Sequence, residues 1–142
     1  MVDTVDQATR SALMARIRGK NTRPELIVRK LLFAAGYRYR LHVPTLPGTP
    51  DLVFPGRKKV IFVHGCFWHR HDNCALARIP KSRVDFWSEK LNGNKARDER
   101  IQQALIQAGW QVLVIWECEL LHLDALDEKL RRFLDSSART SR

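Results

Sequence analysis

The feature that most constrains this chain is the stretch from Val60 to Cys74, which reads V-I-F-V-H-G-C-F-W-H-R-H-D-N-C. Its first four residues are apolar and mostly β-branched, and Gly65 ends the apolar run. We therefore predict a buried strand that opens into a loop at its C-terminal end. Three histidines, two cysteines and two adjacent aromatic residues follow within eleven positions, so this loop is expected to carry the chemistry around which the rest of the chain is organised.

Three residues of the loop, Cys66, His71 and Cys74, are spaced so that a short segment can wrap around one tetrahedral ion. Cys118 is the remaining cysteine and could complete a Cys3His set, which specifies zinc. Four protein ligands leave no open position for a substrate, so the predicted zinc is structural, and a hydrolase that uses zinc alone is disfavoured. The alternative is that the thiols pack as small apolar side chains, although the loop has little apolar sequence to bury them against.

The length of 142 residues suits one domain, 1–142, with its own core. No run approaches the ~18 apolar residues of a membrane span, nothing near the N-terminus suggests secretion, and the odd cysteine number fits a reducing cytoplasm. The formal net charge of +10 and the pI near 10.2 favour a polyanionic partner, most often nucleic acid. Charge alone does not say whether that nucleic acid is cut.

The N-terminal half predicts two helices and a hairpin. Residues 9–17 suggest a short basic helix, which either docks loosely or belongs to an arm, residues 1–20, that orders on DNA. A second helix begins near Thr22 as its N-cap and ends at Gly36. Residues 37–43 predict a strand, and a turn then leads to a strand that begins at Asp51 and pairs with the buried strand. The predicted core stripe of the second helix consists of Leu26, Ile27, Leu31 and Leu32.

The C-terminal half predicts two helices, a strand and a last helix. A helix from Val84 to Leu91 is expected to break at Asn92-Gly93, and another follows over residues 94–108. Residues 111–116 are the most apolar run and predict a central strand that brings Cys118 to the ligand loop. Residues 120–134 predict a helix over the core, and residues 136–142 a frayed tail. The order of elements predicts an α/β domain with a mixed sheet flanked by helices.

An aspartate at the entrance to a buried strand is costly unless its charge is offset, and a divalent cation is the usual offset at an enzyme site. The alternative for Asp51 is a turn cap after proline. In the predicted hairpin Asp51 lies near Val63, so Mg2+ on Asp51 and the carbonyl of Val63, with His69 as general base, would suit phosphodiester hydrolysis. Glu25 could equally be only a partner of the helix dipole.

Aromatic residues form the second informative set. Phe67 and Trp68 stand beside the ligands, and Trp87 lies on the helix that follows. On DNA such side chains wedge between base pairs or stack on unpaired bases, and this interpretation is favoured here over ordinary core packing, which is preferred for Phe62 and Trp116.

Nearly the whole chain resembles the very short patch repair (Vsr) DNA mismatch endonucleases. The matching motifs are A-T-R-S at 8–11, L-P-G-T-P-D at 46–51, V-I-F-V-H-G-C-F-W-H at 60–69, F-W-S-E-K at 86–90 and G-W-Q-V-L-V-I-W-E-C at 109–118. The resemblance implies a restriction-endonuclease-like fold. It also implies nicking of the thymine-bearing strand, 5' to the T, in T:G mismatches left by deamination of 5-methylcytosine.

The resemblance assigns roles residue by residue. It implies catalytic Mg2+ at Asp51, a catalytic histidine at His69 and a supporting one at His64, with Glu25 near the metal-bound waters. It implies zinc at Cys66, His71, Cys74 and Cys118, and DNA contacts by Phe67, Trp68, Trp87, Met14 and Lys90. Two departures stand out: the family pattern has one residue fewer between His71 and Cys74, and it has threonine at Val63.

Three hypotheses follow. The first is a mismatch-specific nicking endonuclease that begins very short patch repair, acts as a monomer in the bacterial cytoplasm, on the nucleoid when bound to DNA, and is linked to a cytosine-5 DNA methyltransferase and to repair proteins. The second is a restriction-linked, sequence-specific nuclease on the same scaffold. The third is a catalytically silent DNA-binding module, in which Asp51 and His69 have structural roles only.

Overall fold

The computed structural model describes residues 22–136, and this part of the chain forms four strands and three long helices. In chain order these are α1 (Arg23–Ala34), β1 (Arg40–Leu41), β2 (Leu52–Phe54), β3 (Lys59–His64), α2 (Val84–Gln107), β4 (Gln111–Trp116) and α3 (Leu123–Asp135). Short 3-10 turns lie at Pro55–Arg57, Ala75–Ala77 and Glu117–Leu121. The predicted arm with Met14, and the predicted tail beyond residue 136, lie outside the described residues. None of the helices within 22–136 is long and apolar enough to span a bilayer.

The sheet is built around β3. Strand β3 pairs antiparallel with β2, which places Val53 opposite Val60, and in parallel with β4, which places His64 opposite Trp116. Strand β1 adds to β2 in the antiparallel direction, so the order is β1-β2-β3-β4. The predicted hairpin is confirmed, and so is the α/β class with a mixed sheet flanked by helices.

Helices cover both faces of this sheet. Successive side chains of a strand point to opposite faces, so the buried residues of β2 and β3 divide between two clusters. One face packs on α1 and α3 through Val28, Leu32, Tyr37, Leu52, Phe54, Ile61, Ile115, Leu126, Leu130 and Leu134. The other face packs on α2 through Val53, Val60, Phe62 and Leu105. Strand β3 is therefore enclosed on both sides, and its C-terminal end is rigidly placed.

Strand β4 was predicted to be central, and this prediction is wrong for the part of the sheet that the structure describes. There β4 is the outermost strand, with β3 as its partner, and five of its six residues are only half-buried. A continuous apolar run indicates that helices cover both faces of a strand, and it does not indicate two neighbouring strands. The strand still leads directly into the turn that carries Cys118, as predicted.

The predicted helix break at Asn92-Gly93 is also wrong, because α2 continues without interruption for 24 residues. Glycine inside a helix costs only about 1 kcal/mol relative to alanine. Tertiary contacts on either side offset this cost: Asn92 accepts a hydrogen bond from Arg70 at 2.7 Å, and Asn94 donates one to the carbonyl of Trp68 at 3.1 Å. The asparagines that resembled turn residues are contacts to the ligand loop.

The start and end of α1 agree with the prediction. The hydroxyl of Thr22 accepts a hydrogen bond from the N–H of Glu25, and Gly36 follows the helix with φ +97°. The predicted core stripe is only partly right: Leu32 is buried, but Leu26 is 40% exposed and Val28 takes its place.

The predicted strand over 37–43 is reduced to Arg40–Leu41. The hydroxyl of Tyr39 donates a hydrogen bond to the carbonyl of Arg29 in α1, and His42 has φ +47°, which ends the extended backbone.

Candidate active site

Asp51 lies at the entrance to β2, where the hairpin brings it beside the C-terminal end of β3. Its Oδ2 accepts a hydrogen bond from the N–H of Val63 at 2.7 Å, so the predicted proximity of these two residues is confirmed. Burial raises the pKa of Asp51 to about 7, the hydrogen bond from Val63 acts in the opposite direction, and the nearby Glu25 carboxyl group raises the pKa further. This carboxyl group is therefore ionised at a substantial cost unless a cation lies next to it.

Glu25 and His42 form a largely buried cluster with Asp51. Glu25 is 1% exposed, forms an ion pair with Arg29 on the next turn of α1, and lies 2.8 Å from Nε2 of His42. The same nitrogen lies 3.8 Å from Oδ1 of Asp51. Glu25 thus has buried partners beyond the helix dipole. One ligand atom from each of Glu25, His42 and Asp51 lies within 4.8 Å of the others.

His42 was not predicted to belong to this group. In the sequence it is one of several alternating polar residues of a predicted strand, and its positive φ is not visible there. A non-glycine residue with φ +47° is uncommon and indicates a local constraint. Here the constraint turns the imidazole toward the two carboxyl groups.

His69 is held by an aspartate that was not predicted to belong to the site. Its Nδ1 lies 2.5 Å from Oδ2 of Asp98 in α2. With Nδ1 engaged, Nε2 is the ring nitrogen that remains for a substrate or water. A signal was present in the sequence, because Asp98 lies four residues after Asn94 and three before Ile101 on one helical face, and this is the face that turns inward.

The ring of His64 stacks on the ring of His69, with 3.8 Å between centroids and 6° between planes. Burial, with the neighbouring His69 as a second cause, lowers the pKa of His64 to about 3, so His64 is neutral at physiological pH. The lone pair of an imidazole lies in the plane of its ring, and these planes are nearly parallel. The two rings therefore cannot both bind one ion well, and the structure shows the His64 ring packed against the face of His69.

The four predicted zinc ligands are brought together. One ligand atom from each of Cys66, His71, Cys74 and Cys118 lies within 4.8 Å of the others. Nδ1 of His71 lies 3.6 Å from the sulfur of Cys66 and 3.5 Å from the sulfur of Cys118. A tetrahedral ion with Zn–S of ~2.3 Å and Zn–N of ~2.0 Å separates nitrogen from sulfur by about 3.5 Å. The donor set therefore fits a closed, four-ligand zinc site.

The longer spacing between His71 and Cys74 does not prevent this arrangement. Asn73 takes up the additional residue with φ +54°, a conformation that asparagine tolerates better than most residues. Burial raises the pKa of the Cys66 thiol to about 12 and also raises that of Cys118. Thiolates are unfavourable in such a place unless a cation stabilises them, which a bound metal ion would do.

The predicted aromatic residues form one cluster beside this site. Ring centroids of Phe67 and Trp68 lie 5.1 Å apart, and those of Phe67 and Trp87 lie 5.3 Å apart, all in edge-to-face contacts. All three side chains are half-buried, so each keeps part of its surface toward solvent. Lys90, one turn after Trp87, is exposed on α2.

Four side-chain contacts join helix α2 to the ligand loop. Two of these hold consecutive loop residues from adjacent helical turns: Asn94 binds the carbonyl of Trp68, and Asp98 binds the ring of His69. The other two pairs, Arg70 with Asn92 and Lys95 with Asp72, lie farther along the loop. The loop is thus fixed by contacts with the helix, in addition to any metal ion that its ligand cluster holds.

A cleft of about 950 Å3 lies beside Asp51, the two stacked histidines and part of the aromatic cluster. Asp51, His64 and His69 line it together, so three of the four residues predicted to be catalytic face one space, whereas the buried Glu25 is not part of the lining. Arg97 and Asp98 contribute from α2, and Phe67 and Trp68 line the same cleft.

The chain belongs to the Vsr family of DNA mismatch endonucleases, because residues 2–76 match the family model described as "DNA mismatch endonuclease Vsr" and full-length relatives agree. It is 54% identical over 137 residues to the type II nicking enzyme V.XorIIP of Xanthomonas oryzae pv. oryzae, covering 96% of this chain and 100% of that relative.

Two further relatives cover nearly the same range. The chain is 42% identical over 134 residues to the type II nicking enzyme V.NmeAIP of Neisseria meningitidis serogroup A, covering 94% of this chain and 95% of the relative. It is 41% identical over 139 residues to the DNA mismatch endonuclease Vsr of Escherichia coli, covering 94% of this chain and 88% of the relative. These names support a DNA endonuclease as the class of this protein.

Proposed function

We propose that this protein nicks the thymine-bearing strand, 5' to the T, in T:G mismatches that arise when 5-methylcytosine is deaminated, and so begins very short patch repair. The observation that carries the proposal is the cleft in which Asp51, His69 and the Phe67–Trp68 pair face the same space. The lining of this cleft offers a carboxylate and an imidazole for hydrolysis, and flat apolar rings for a disturbed base step.

Asp51 is the proposed protein ligand of a catalytic Mg2+ ion. Two nearby carboxyl groups that are largely removed from water, Asp51 and Glu25, favour a divalent cation, and Mg2+ prefers such oxygen ligands. The N–H and C=O of one strand residue point to the same side, so the hydrogen bond from Val63 to Asp51 supports the carbonyl of Val63 as a second contact. Bound there, Mg2+ would polarise the scissile phosphate, while Glu25 would orient metal-bound water.

His69 is the proposed general base. The contact between Nδ1 and Asp98 favours the tautomer whose Nε2 accepts a proton from the attacking water, and it stabilises the imidazolium that results. The stacked His64 stays neutral, so it adds no repelling charge beside that imidazolium. The cluster of Cys66, His71, Cys74 and Cys118 would hold a structural zinc ion, because four protein ligands leave no position for a substrate.

The aromatic cluster is proposed to read the mismatch. A T:G pair opens and unstacks at lower cost than a matched pair, so rings that insert at that step discriminate between the two. Phe67, Trp68 and Trp87 brace one another, which lowers the entropy cost of insertion. Lys90 and, from the arm, Met14 would add contacts from the two grooves. The net charge of +10 supplies sequence-independent affinity for phosphate.

The remaining parts of the proposal concern the setting. We infer a restriction-endonuclease-like fold, a monomer that acts in the bacterial cytoplasm and on the nucleoid, and a functional link to a cytosine-5 DNA methyltransferase whose product creates the mismatch. The mixed sheet, with a hairpin that carries Asp51, supports the restriction-endonuclease-like fold.

Cleavage of end-labelled duplexes tests the proposal. With Mg2+, we expect a nick 5' to T in a T:G duplex and little cleavage of the matched T:A duplex. Asp51→Ala and His69→Ala should each abolish the nick while leaving the circular dichroism spectrum and zinc content near those of the wild type. Equal cleavage of T:G and T:A duplexes would instead indicate a sequence-specific nuclease, and turnover by both variants would refute the proposed chemistry.

A further inference from the structure

Trp116, the last residue of β4, lies between the metal-ligand cluster and the histidine pair. Its ring stacks on that of His71, with 4.1 Å between centroids and 7° between planes. Its edge meets the ring of His64 at 5.2 Å and 77°. Trp116 is only half-buried and contributes to neither of the buried clusters of the core, so core packing does not account for its position.

The contact with His64 is imposed by the sheet. His64 and Trp116 are partners in the parallel register of β3 and β4, so the backbone brings their side chains together. His64 in turn stacks on His69 at 3.8 Å. A continuous series of ring contacts therefore runs from His71 through Trp116 and His64 to His69.

We propose that Trp116 is a positioning residue, which sets the separation between the metal-ligand cluster and His69 through its contacts with His71 and His64. The Asp98 carboxylate constrains one edge of the His69 ring, and the His64 ring constrains its face. The His64 ring is itself held against Phe62 on one side and Trp116 on the other. The proposal rests on the catalytic role proposed for His69.

A wide, flat side chain is needed for this task. Removing the indole takes away both the stacked contact with His71 and the edge-to-face contact with His64, and it leaves a gap beside each ring. The two rings would shift toward it, and His69 would follow the ring on which it stacks. A displacement of about 1 Å at a catalytic group can lower the rate by about 10²-fold. Trp116→Leu should therefore lower kcat by 10- to 100-fold, with little change in KM for mismatched DNA.

Trp110→Leu is the matched control. Trp110 precedes the other end of β4, is also half-buried, and packs with the cluster beneath α2 and against Lys58, away from the cleft. The Trp110→Leu variant loses the same atoms as Trp116→Leu, so it reports the general effect of removing an indole next to this strand. Trp116→Phe is the conservative variant, which keeps a flat face toward His71 and should recover most of the lost kcat.

The experiment combines single-turnover kinetics with NMR of the histidine rings in the zinc-loaded proteins as purified. Stacking on His64 shifts the carbon-bound ring protons of His69 upfield. We expect Trp116→Leu to move these resonances toward unstacked values, Trp116→Phe to move them less, and Trp110→Leu to leave them in place. If Trp116→Leu does not fold, the Trp116→Phe shift decides.

Wild-type His69 resonances in both Trp116 variants, or a kcat loss no larger than that of Trp110→Leu, would overturn the proposal. The NMR shift needs no catalysis, so it remains interpretable if His69→Ala shows that His69 is not the base. In that case the proposed function fails, while the positioning of the ring is still tested.

Discussion

Asp51→Asn is expected to stabilise the metal-free protein and, at the same time, to abolish cleavage. The substitution exchanges an ionisable carboxyl group for a neutral amide of nearly the same shape. The amide oxygen can still accept the hydrogen bond from Val63, so the contact is kept and only the charge is lost. The size of the effect follows from the pKa of Asp51, which burial raises to about 7 and which is also affected by Val63 and Glu25.

The sign follows from the unfolded chain, where an aspartate has a pKa of ~3.9. Because the folded pKa is higher, the protonated carboxyl contributes its full stability below about pH 3.9, and this contribution is lost as the pH rises through about 7. Each pH unit in this window costs about 1.4 kcal/mol. By pH 7.5 the loss reaches up to about 4 kcal/mol, and at pH 5.5 it is about 2 kcal/mol.

Urea unfolding of the zinc-loaded proteins in magnesium-free buffer measures this difference. We expect the unfolding free energy of Asp51→Asn to exceed that of the wild type by up to about 4 kcal/mol at pH 7.5. At pH 5.5 this excess should fall to about 2 kcal/mol. Added Mg2+ should stabilise the wild type and leave the variant unchanged. Asp127→Asn, in an exposed pair with Arg131 on α3, is the control and should change stability by less than about 1 kcal/mol.

A less stable Asp51→Asn protein at pH 7.5, or a difference that does not depend on pH, would refute this reasoning. Either result would mean that the carboxylate of Asp51 is already stabilised without a metal ion.

Four further substitutions or treatments have expected outcomes. Trp68→Ala should reduce the ratio of T:G to T:A cleavage more than it reduces DNA affinity, since stacking contributes ~1–3 kcal/mol; an unchanged ratio argues against the wedge. Asp98→Asn should lower kcat by about 10²-fold or more with little effect on DNA binding in filter assays, because His69 loses the partner that selects its tautomer; an unaltered kcat would contradict this. Lys59→Met should lower the free energy of unfolding in urea by roughly 1–3 kcal/mol, because the buried ammonium group donates hydrogen bonds to the carbonyls of Phe133 and Ser136 at 2.5 and 2.7 Å. Wild-type stability would show that water replaces these hydrogen bonds. Stripping zinc with a strong chelator should loosen the loop and abolish nicking even when Mg2+ is restored, whereas full activity in zinc-free protein would rule out a structural role for the metal.

Much of the site could be predicted because its residues are close in sequence. His64, Cys66, His69, His71 and Cys74 leave one strand within eleven residues, so a single correct assignment of β3 places them all. Asp51 followed from the hairpin, since two antiparallel strands with a short connection leave few alternatives for register. The place of Cys118 in the predicted ligand cluster needed only the inference that β4 ends where β3 ends.

The site residues that were not predicted reach the site through tertiary contacts. His42 is an ordinary polar residue in the sequence, and only the structure shows its positive φ. The helical spacing of Asp98 places it on the inward face of α2, but only the packing of α2 on the loop brings it to His69. The helix break at Asn92-Gly93 failed for a related reason: local propensity suggested a turn, but hydrogen bonds to the loop decided the outcome. Trp116 was assigned to the core, whereas the register of β3 and β4 places it beside His64, and its ring also stacks on that of His71 in the loop.

The contacts of α2 with the loop have a consequence for the fidelity of the proposed reaction. Neighbouring turns of one helix hold the backbone carbonyl of Trp68 and the ring of His69. If Trp68 probes the base step and His69 acts on the backbone, as proposed, a correctly paired duplex that excludes the Trp68 ring would also hold its phosphate away from His69. Selection and cutting would then be coupled in one event.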